Sequence, residues 1–242
     1  QSSRPMPFCV AIVGLPGIGK GMLVDYVSRV WSHVKVRDFS ETHVYHRQAT
    51  EDYWSGYEPT SQPIIHYSEP GSLHRNIAKA KGDPVMTEFL SVCDNQPYMC
   101  NMADLESKGK VYAMPEICVI DCNDPTMNLD VLLNNPAAVK RRILYVVPSV
   151  KNEFKQPGSC RLDVSKSLDS DTPILDRWNF EVFRMEPENV RDSYKSNVLT
   201  CGNIFDLNSS LVNEFTTHIQ HQEERMKVSQ NIDVNDYITT ES

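Results

Sequence analysis

Apolar and polar positions follow one another in blocks that predict strands and helices in turn. The run FCVAIVG (8–14) is short, apolar and rich in β-branched residues, and it ends in a turn of glycine and proline, which indicates a buried central strand. The next segment, KGMLVDYVSRVWSHV (20–34), has apolar residues three and four positions apart, as in an amphipathic helix. The chain thus begins with a strand, a glycine-rich loop and a helix. Further strands are predicted at 63–67, 116–121, 142–147 and 179–185, with helical sequence at 73–93.

Helix-length segments separate most of these strands, so we predict an α/β fold with a central parallel sheet flanked by helices. The polar stretch 151–173 is broken by Pro157, Gly158 and Pro173, which indicates a long excursion or a small subdomain. A terminal amphipathic helix follows at 209–228; we expect it to pack on its own domain, and the alternative is a neighbouring subunit. The predicted organisation is a core over 1–148, a C-terminal subdomain with the terminal helix over 149–228, and a polar tail over 229–242.

Composition narrows the class of protein. The 242 residues are 40% hydrophobic and 23% charged, as in ordinary globular proteins, and the net charge of −8 confines any nucleic-acid contact to a local basic patch. Seven dispersed cysteines predict reduced thiols in a cytosolic compartment. Cys118 and Cys122 lack a second pair at zinc spacing, and we expect His43 and His46 to be surface residues because no other ligand accompanies them.

The glycine-rich loop has the spacing of a phosphate-binding loop. Four residues separate Gly14 from the Gly19-Lys20 pair, between a predicted strand and a predicted helix. In such loops the backbone N–H groups surround phosphate oxygens, the helix N-terminus favours negative charge, and the lysine reaches the terminal phosphates. The alternative is a glycine-rich turn without function. The predicted nucleotide-binding residues are Gly14, Pro16, Gly17, Gly19, Lys20 and Gly21.

Two positions depart from the usual pattern. Ser or Thr normally follows the lysine, and its hydroxyl binds Mg²⁺, but Gly21 has no such group. The second expected element is an apolar strand ending in acidic residues, for which IIHYSE (64–69) is the best candidate. Ser68 stands in the place of the metal-side aspartate, and Glu69 is the candidate metal ligand and water-orienting base, unless this is an ordinary strand end. Both departures remove groups that would support Mg²⁺.

Three longer segments follow the loop: YWSGYEPTSQPIIHYSEPG (53–71), PYMCNMADLESKGKVYAMPEICVIDCND (97–124) and NNPAAVKRRILYVV (134–147). Together with the loop they resemble, in order, motifs of the superfamily 3 helicases of picornavirus-like positive-strand RNA viruses. These motifs are an aromatic-glycine segment running into the second acidic motif, a P-x-x-x-A-x-L-E-x-K-G stretch followed by a strand and a sensor asparagine, and an arginine-pair segment. The resemblance extends over 8–147, with weaker similarity at 176–187.

The resemblance implies an ATPase core of the ring-forming AAA+ type. Lys20 would then bind phosphate, Glu69 would stand in the second acidic motif, and Asn123 would sense the γ-phosphate. Arg141 and Arg142 would be arginine fingers that reach the site of the next subunit. An asparagine can orient water because its amide both donates and accepts, and arginines neutralise charge on a transferred phosphoryl group. The alternatives are a turn-forming asparagine and a solvated basic cluster.

The resemblance also implies cofactors and partners. ATP and Mg²⁺ are the expected cofactors, and Lys108 and Lys110, on either side of Gly109, are the expected RNA-binding residues because loop lysines follow a phosphate backbone by charge alone. The chain would assemble into a ring, with six subunits as the expected number, and would work with other viral replication proteins at membranes in the host cytoplasm. Membrane association would come only from segments outside this chain.

Three functions fit these residues unequally. The favoured hypothesis is an ATP-dependent RNA helicase of viral genome replication, whose metal is held mainly by nucleotide, water and Glu69. The alternative is a degenerate nucleotide-binding scaffold that does not hydrolyse ATP, which the changes at Gly21 and Ser68 favour. A small-molecule kinase would explain the loop and leave the later segments without a role.

Overall fold

One mixed sheet of seven strands forms the centre of the fold, as the computed structural model shows for the residues it describes. Those residues are 4–48, 50–70, 73–134, 136–189 and 193–238. Along the chain the strands are β1 (Phe8–Val13), β2 (Val44–Arg47), β3 (Ile64–Ser68), β4 (Tyr98–Met99), β5 (Tyr112–Ala113), β6 (Ile117–Cys122), β7 (Ile143–Val150), β8 (Trp178–Pro187) and β9 (Tyr194–Gly202). The sheet order is β2-β3-β6-β1-β7-β8-β9, whereas β4 and β5 form a separate small hairpin.

Helices cover both faces of this sheet. Gly82 ends the second helix with a φ of 77°, and the Asp83 side chain then accepts from the first amides of the third, which begins at Pro84. The predicted helical segment 73–93 is therefore two helices. The helices are α1 (Lys20–Val34), α2 (Arg75–Lys81), α3 (Pro84–Val92), α4 (Leu129–Leu132), α5 (Pro136–Lys140), α6 (Val164–Leu168) and α7 (Ile204–Gln230).

The central strand β1 separates two hydrophobic cores. It is buried along its whole length, and its alternate side chains enter opposite faces of the sheet. Val10 and Ile12 pack with Val27 of α1 in one core, and Ala11 belongs to the other core with Phe89 of α3. This burial on both faces explains why the strand reads as an unbroken apolar run.

The prediction of an α/β fold with a central parallel sheet flanked by helices is confirmed, and two antiparallel strands extend this sheet at one edge. Strands β2, β3, β6, β1 and β7 are parallel, whereas β8 pairs antiparallel with β7, and β9 antiparallel with β8. The polar stretch between β7 and β8 contains the short helix α6 and turns the chain back, so that β8 lies antiparallel beside β7. Strands β2 and β9 were not predicted.

The terminal helix α7 packs on its own domain, as expected. Leu207, Leu211 and Phe215 are buried in the core that contains α1, and burial of each contributes about 1.5–3 kcal/mol. The predicted boundary after residue 148 falls inside β7, and residues 239–242 of the predicted tail lie outside the described residues. Among the described helices, none is long and apolar enough to cross a membrane.

Candidate functional site

The candidate site lies where three neighbouring parallel strands end. β3, β6 and β1 are adjacent in the sheet, and their carboxyl ends lead into Glu69, Asn123 and Gly14. Backbone hydrogen bonds fix these exits to one another: the Gly14 N–H donates to the Cys122 carbonyl at 3.0 Å, and the Glu69 N–H donates to the Asp121 carbonyl at 2.8 Å. Ligands of open α/β sheets bind at this edge, because the loops diverge there.

Lys20, the first residue of α1, connects the three strand ends. Its Nζ donates to the Gly14 carbonyl at 2.7 Å, to Asn123 Oδ1 at 2.5 Å and to Glu69 Oε1 at 3.3 Å. The lysine side chain is only 9% exposed, whereas that of Glu69 is 36% exposed. The structure therefore brings together one basic, one acidic and one amide side chain that lie up to 103 positions apart in the sequence.

Glu69 is aimed at the lysine by an unusual backbone. Its φ is 50°, in the left-handed region that residues other than glycine seldom adopt. The bond from its N–H to Asp121 fixes this turn directly after β3. Strained backbone of this kind is common at functional sites, where the surrounding structure holds it in place.

Two loop glycines and a distant tryptophan shape the phosphate loop. Gly17 and Gly19 have φ values of 79° and 97°, which let successive N–H groups turn toward the same side. Trp178, the first residue of β8, lies beneath the loop and donates from Nε1 to the Ile18 carbonyl at 2.7 Å. The antiparallel part of the sheet thus supports the loop, a contribution that the sequence pattern did not reveal.

Arg161 was also missed by sequence reasoning. Its side chain comes from the polar excursion and passes the loop, so that its Cδ would lie 3.6 Å from a Cβ on Gly17. In the described part of the chain no carboxylate forms an ion pair with it. An exposed guanidinium beside a phosphate loop adds positive charge where a triphosphate would lie. The only signal for such a residue in the sequence was the glycine-rich loop itself. Because such a loop attracts anions, a basic side chain could be expected near it.

A carboxylate that sequence reasoning passed over lies beside Ser68. Asp121 Oδ1 accepts from His66 Nε2 at 2.5 Å, and Ser68 Oγ donates to Asp121 Oδ2 at 3.4 Å. The two histidines His66 and His46 are joined through their Nδ1 atoms at 2.8 Å, so His46 is exposed yet has a partner. Burial would raise the pKa of Asp121, but the hydrogen bond from His66, its charge and that of Lys20 outweigh burial and keep the pKa low. Asp121 is therefore ionised at neutral pH.

The oxygen donors at this edge suit a nucleotide-bound Mg²⁺ better than a metal held by the protein alone. The carboxylates are Asp121 on β6 and Glu69 directly after β3, and the hydroxyl of Ser68, the last residue of β3, lies beside Asp121. No group of three or more potential ligand side chains occurs in the described ranges. Mg²⁺ in nucleotide sites commonly takes one or two carboxylates and fills its remaining positions with phosphate oxygens and water. The residues present thus fit such an ion, although Gly21 offers it nothing.

The predicted arginine fingers lie at the opposite end of the parallel strands, where the strands begin. Arg141 and Arg142 are exposed and directly precede β7, which runs parallel to β1. Gly14 follows the other end of β1, which has six residues and is therefore about 20 Å long. About this distance separates the two arginines from the loop of their own chain. The structure excludes their direct action in cis and leaves action in a neighbouring subunit as a prediction.

Lys108 and Lys110 lie apart from this cluster in the exposed loop between β4 and β5. Gly109 between them has a φ of 76°. Asp104 and Glu106 are exposed in the same loop, so its formal charge is balanced. The role of the two lysines in RNA binding stays a prediction.

Fold and site together define the class: an α/β protein with a mainly parallel central sheet, consistent with a phosphate-loop core. A model of the RNA helicase family, described as "RNA helicase", matches residues 10–123. The chain is 25% identical to the RNA1 polyprotein of Broad bean wilt virus 1 over 81% of its length, and 26% identical to the genome polyprotein of Human rhinovirus A serotype 89 over 68%. It is 26% identical to the RNA1 polyprotein of Cowpea mosaic virus over 62%.

The chain therefore has the features of a superfamily 3 viral RNA helicase domain, which the family model and these relatives support. It spans 10% of the length of the first of these polyproteins and 7% of each of the other two.

Proposed function

We propose that this domain binds ATP with Mg²⁺ at the phosphate loop and hydrolyses it to drive an RNA helicase in viral genome replication. The observation that carries the proposal is the convergence of Lys20, Glu69 and Asn123, which come from three separate motifs, around one ammonium group. A nucleotide's terminal phosphates would take over these contacts of Lys20. The released Glu69 and Asn123 side chains would then be available to orient the attacking water.

The proposal assigns each group a physical task. The loop amides and Lys20 neutralise phosphate charge, Asn123 positions water or the γ-phosphate by donating and accepting, and Glu69 accepts the water's proton. Bound Mg²⁺ would neutralise the charge that develops on the phosphates.

Assembly into a ring completes the site in this proposal. Arg141 and Arg142 lie about 20 Å from their own loop, so only a neighbouring subunit could receive them as fingers. The same proposal includes a ring of six subunits and contact of the loop lysines Lys108 and Lys110 with RNA. It also includes other replication proteins as partners and a location at replication membranes.

The test is Mg-dependent ATP turnover by the purified oligomer, measured together with ATP binding. Lys20→Ala should weaken ATP binding by about 10-fold or more, because a hydrogen bond to a charged group contributes about 1.5–3 kcal/mol, and should abolish turnover. Arg29→Ala is the matched control, since Arg29 lies on the same helix but pairs with Asp25 at the surface, and it should leave both measurements unchanged. Phosphate release equal in parent and Lys20→Ala would refute hydrolysis.

The second candidate is a nucleotide-binding scaffold without hydrolysis, and the missing hydroxyl at Gly21 and the missing carboxylate at Ser68 favour it. In that case the parent binds ATP without turnover, and the Gly21→Ser, Ser68→Asp double variant gains Mg-dependent hydrolysis. Turnover by the parent at the level of the double variant would rule the scaffold out.

A further inference from the structure

Ser68 and Asp121 occupy matched positions on neighbouring parallel strands. They are direct partners in the register between β3 and β6, and Ser68 Oγ lies 3.4 Å from Asp121 Oδ2. Residues paired in this way project to the same face of the sheet. A carboxylate on β6 thus stands next to the position on β3 where a phosphate-loop ATPase normally has one.

This face of the sheet is the one that α1 covers. Ile117 and Val119 alternate with Asp121 along β6, and both are buried in the core that holds Val27 of α1. Asp121 therefore projects toward the side on which α1 begins, directly after the phosphate loop. Gly21 lies in the first turn of that helix, so the missing hydroxyl and the displaced carboxylate belong to the same side of the site.

The Asp121 carboxylate is held in a fixed orientation. His66 Nε2–H donates to one oxygen at 2.5 Å, and His46 contacts the other ring nitrogen of His66 at 2.8 Å. Among the described residues, the second oxygen accepts one hydrogen bond, the long one from Ser68, and the side chain is 14% exposed. Outer partners that orient a carboxylate in this way are typical of residues that bind a metal or its bound water.

We propose that Asp121 is the metal-side carboxylate of this nucleotide site, in place of the aspartate that Ser68 has lost. The inference rests on the proposed nucleotide binding and does not depend on whether ATP is hydrolysed. It assigns the two carboxylates different tasks: Asp121 binds Mg²⁺ or its water shell, whereas Glu69, which contacts Lys20, acts on the phosphate and water side.

The test measures how much Mg²⁺ strengthens binding of a fluorescent, non-hydrolysable ATP analogue, by titration in Mg²⁺ and in EDTA. Asp121→Asn should reduce this enhancement by about 10-fold or more, and Mn²⁺ bound with the same analogue should show a changed paramagnetic resonance spectrum. Asn keeps the shape and can still accept from His66, so the variant should fold. The Asp121→Asn, Ser68→Asp double variant returns a carboxylate to β3 and should restore the enhancement.

Asp25→Asn is the matched control, because Asp25 is a carboxylate that pairs with Arg29 at the surface of α1, and this variant should keep the Mg²⁺ enhancement. An unchanged enhancement in Asp121→Asn, or an equal loss in Asp25→Asn, would overturn the assignment and leave nucleotide binding intact. A parent that binds no nucleotide with either metal would overturn both this inference and the proposed function.

Discussion

Gly19 is the loop residue at which a side chain should be most costly. Its φ of 97° lies in the left-handed region, and a Cβ there would lie 2.8 Å from Cζ2 of Trp178. The indole cannot move aside easily, because it is 3% exposed and its Nε1–H donates to the Ile18 carbonyl at 2.7 Å. We therefore expect Gly19→Ala to destabilise the protein and to disturb the loop together.

The magnitude follows from two costs. Left-handed backbone costs a residue with a Cβ about 1–2 kcal/mol, and an extra methyl in a packed core costs about 1–3 kcal/mol, so the loss in unfolding free energy should be about 2–5 kcal/mol. Urea slopes are about 1–3 kcal/mol per molar, so a loss of about 3 kcal/mol lowers the midpoint by at least about 1 M. Urea denaturation followed by tryptophan fluorescence measures it.

Gly21→Ala is the matched comparison two residues away. Gly21 lies within α1, and no atom lies within 4 Å of its added Cβ. This variant should be neutral or stabilising by up to about 1 kcal/mol, because alanine favours a helix over glycine. Midpoints for the two variants within about 0.3 M of each other, a small fraction of that shift, would refute the role assigned to Trp178 and to the left-handed turn.

Three further measurements test other parts of the structure. Glu88→Gln should lower the free energy of unfolding, measured by urea denaturation, by about 3–5 kcal/mol. The reason is that the Arg47 guanidinium, which is 3% exposed and 2.8 Å from Glu88, loses its counter-charge. A loss below about 1 kcal/mol would contradict this prediction. Arg161→Ala should weaken ATP binding by about 2- to 5-fold and reduce its salt dependence, whereas Lys166→Ala, in the same excursion, should not; equal effects would count against a contact with phosphate. Burial lowers the pKa of His218, so the unfolded chain binds a proton below about pH 6.5 that the folded chain does not. The free energy of unfolding should therefore fall as the pH drops from 7.5 to 5.5. His218→Gln should reduce this pH dependence, and an unchanged slope would exclude His218 as its source.

Local pattern was a good guide where one helix or buried strand determines the structure. The helix predicted at 20–34 has those bounds, and β1, β3, β6 and β7 lie within a few residues of their predicted positions. The helix has a clear apolar period, and the strands are short apolar runs bounded by turn residues. Strand β9 has mostly exposed side chains, so its sequence carries no alternation of apolar and polar residues, and the pairing with β8 forms it.

Contacts between distant elements could not be predicted from the sequence, for a different reason. Trp178, Arg161 and Asp121 reach the loop or its neighbours through strand register and chain reversal, and neither can be read from spacing along the chain. Asp121 precedes Asn123 by two positions, and only the alignment of β6 with β3 shows that it stands beside Ser68. The motif pattern identified what was missing at position 68, whereas the register identified what lies next to it.

Parallel pairing makes this exchange of a carboxylate between strands physically simple. Partners in register lie about 4.8 Å apart and point the same way, so a carboxylate on one strand can face the same side of the site as one on the next strand. The hydroxyl lost at Gly21 has no such neighbour, because helical residues beside it point in other directions. If Asp121 serves the metal, the site has kept its carboxylate and lost only the hydroxyl, and Gly21→Ser alone, for which there is open space, should be enough to strengthen the Mg²⁺ dependence of nucleotide binding.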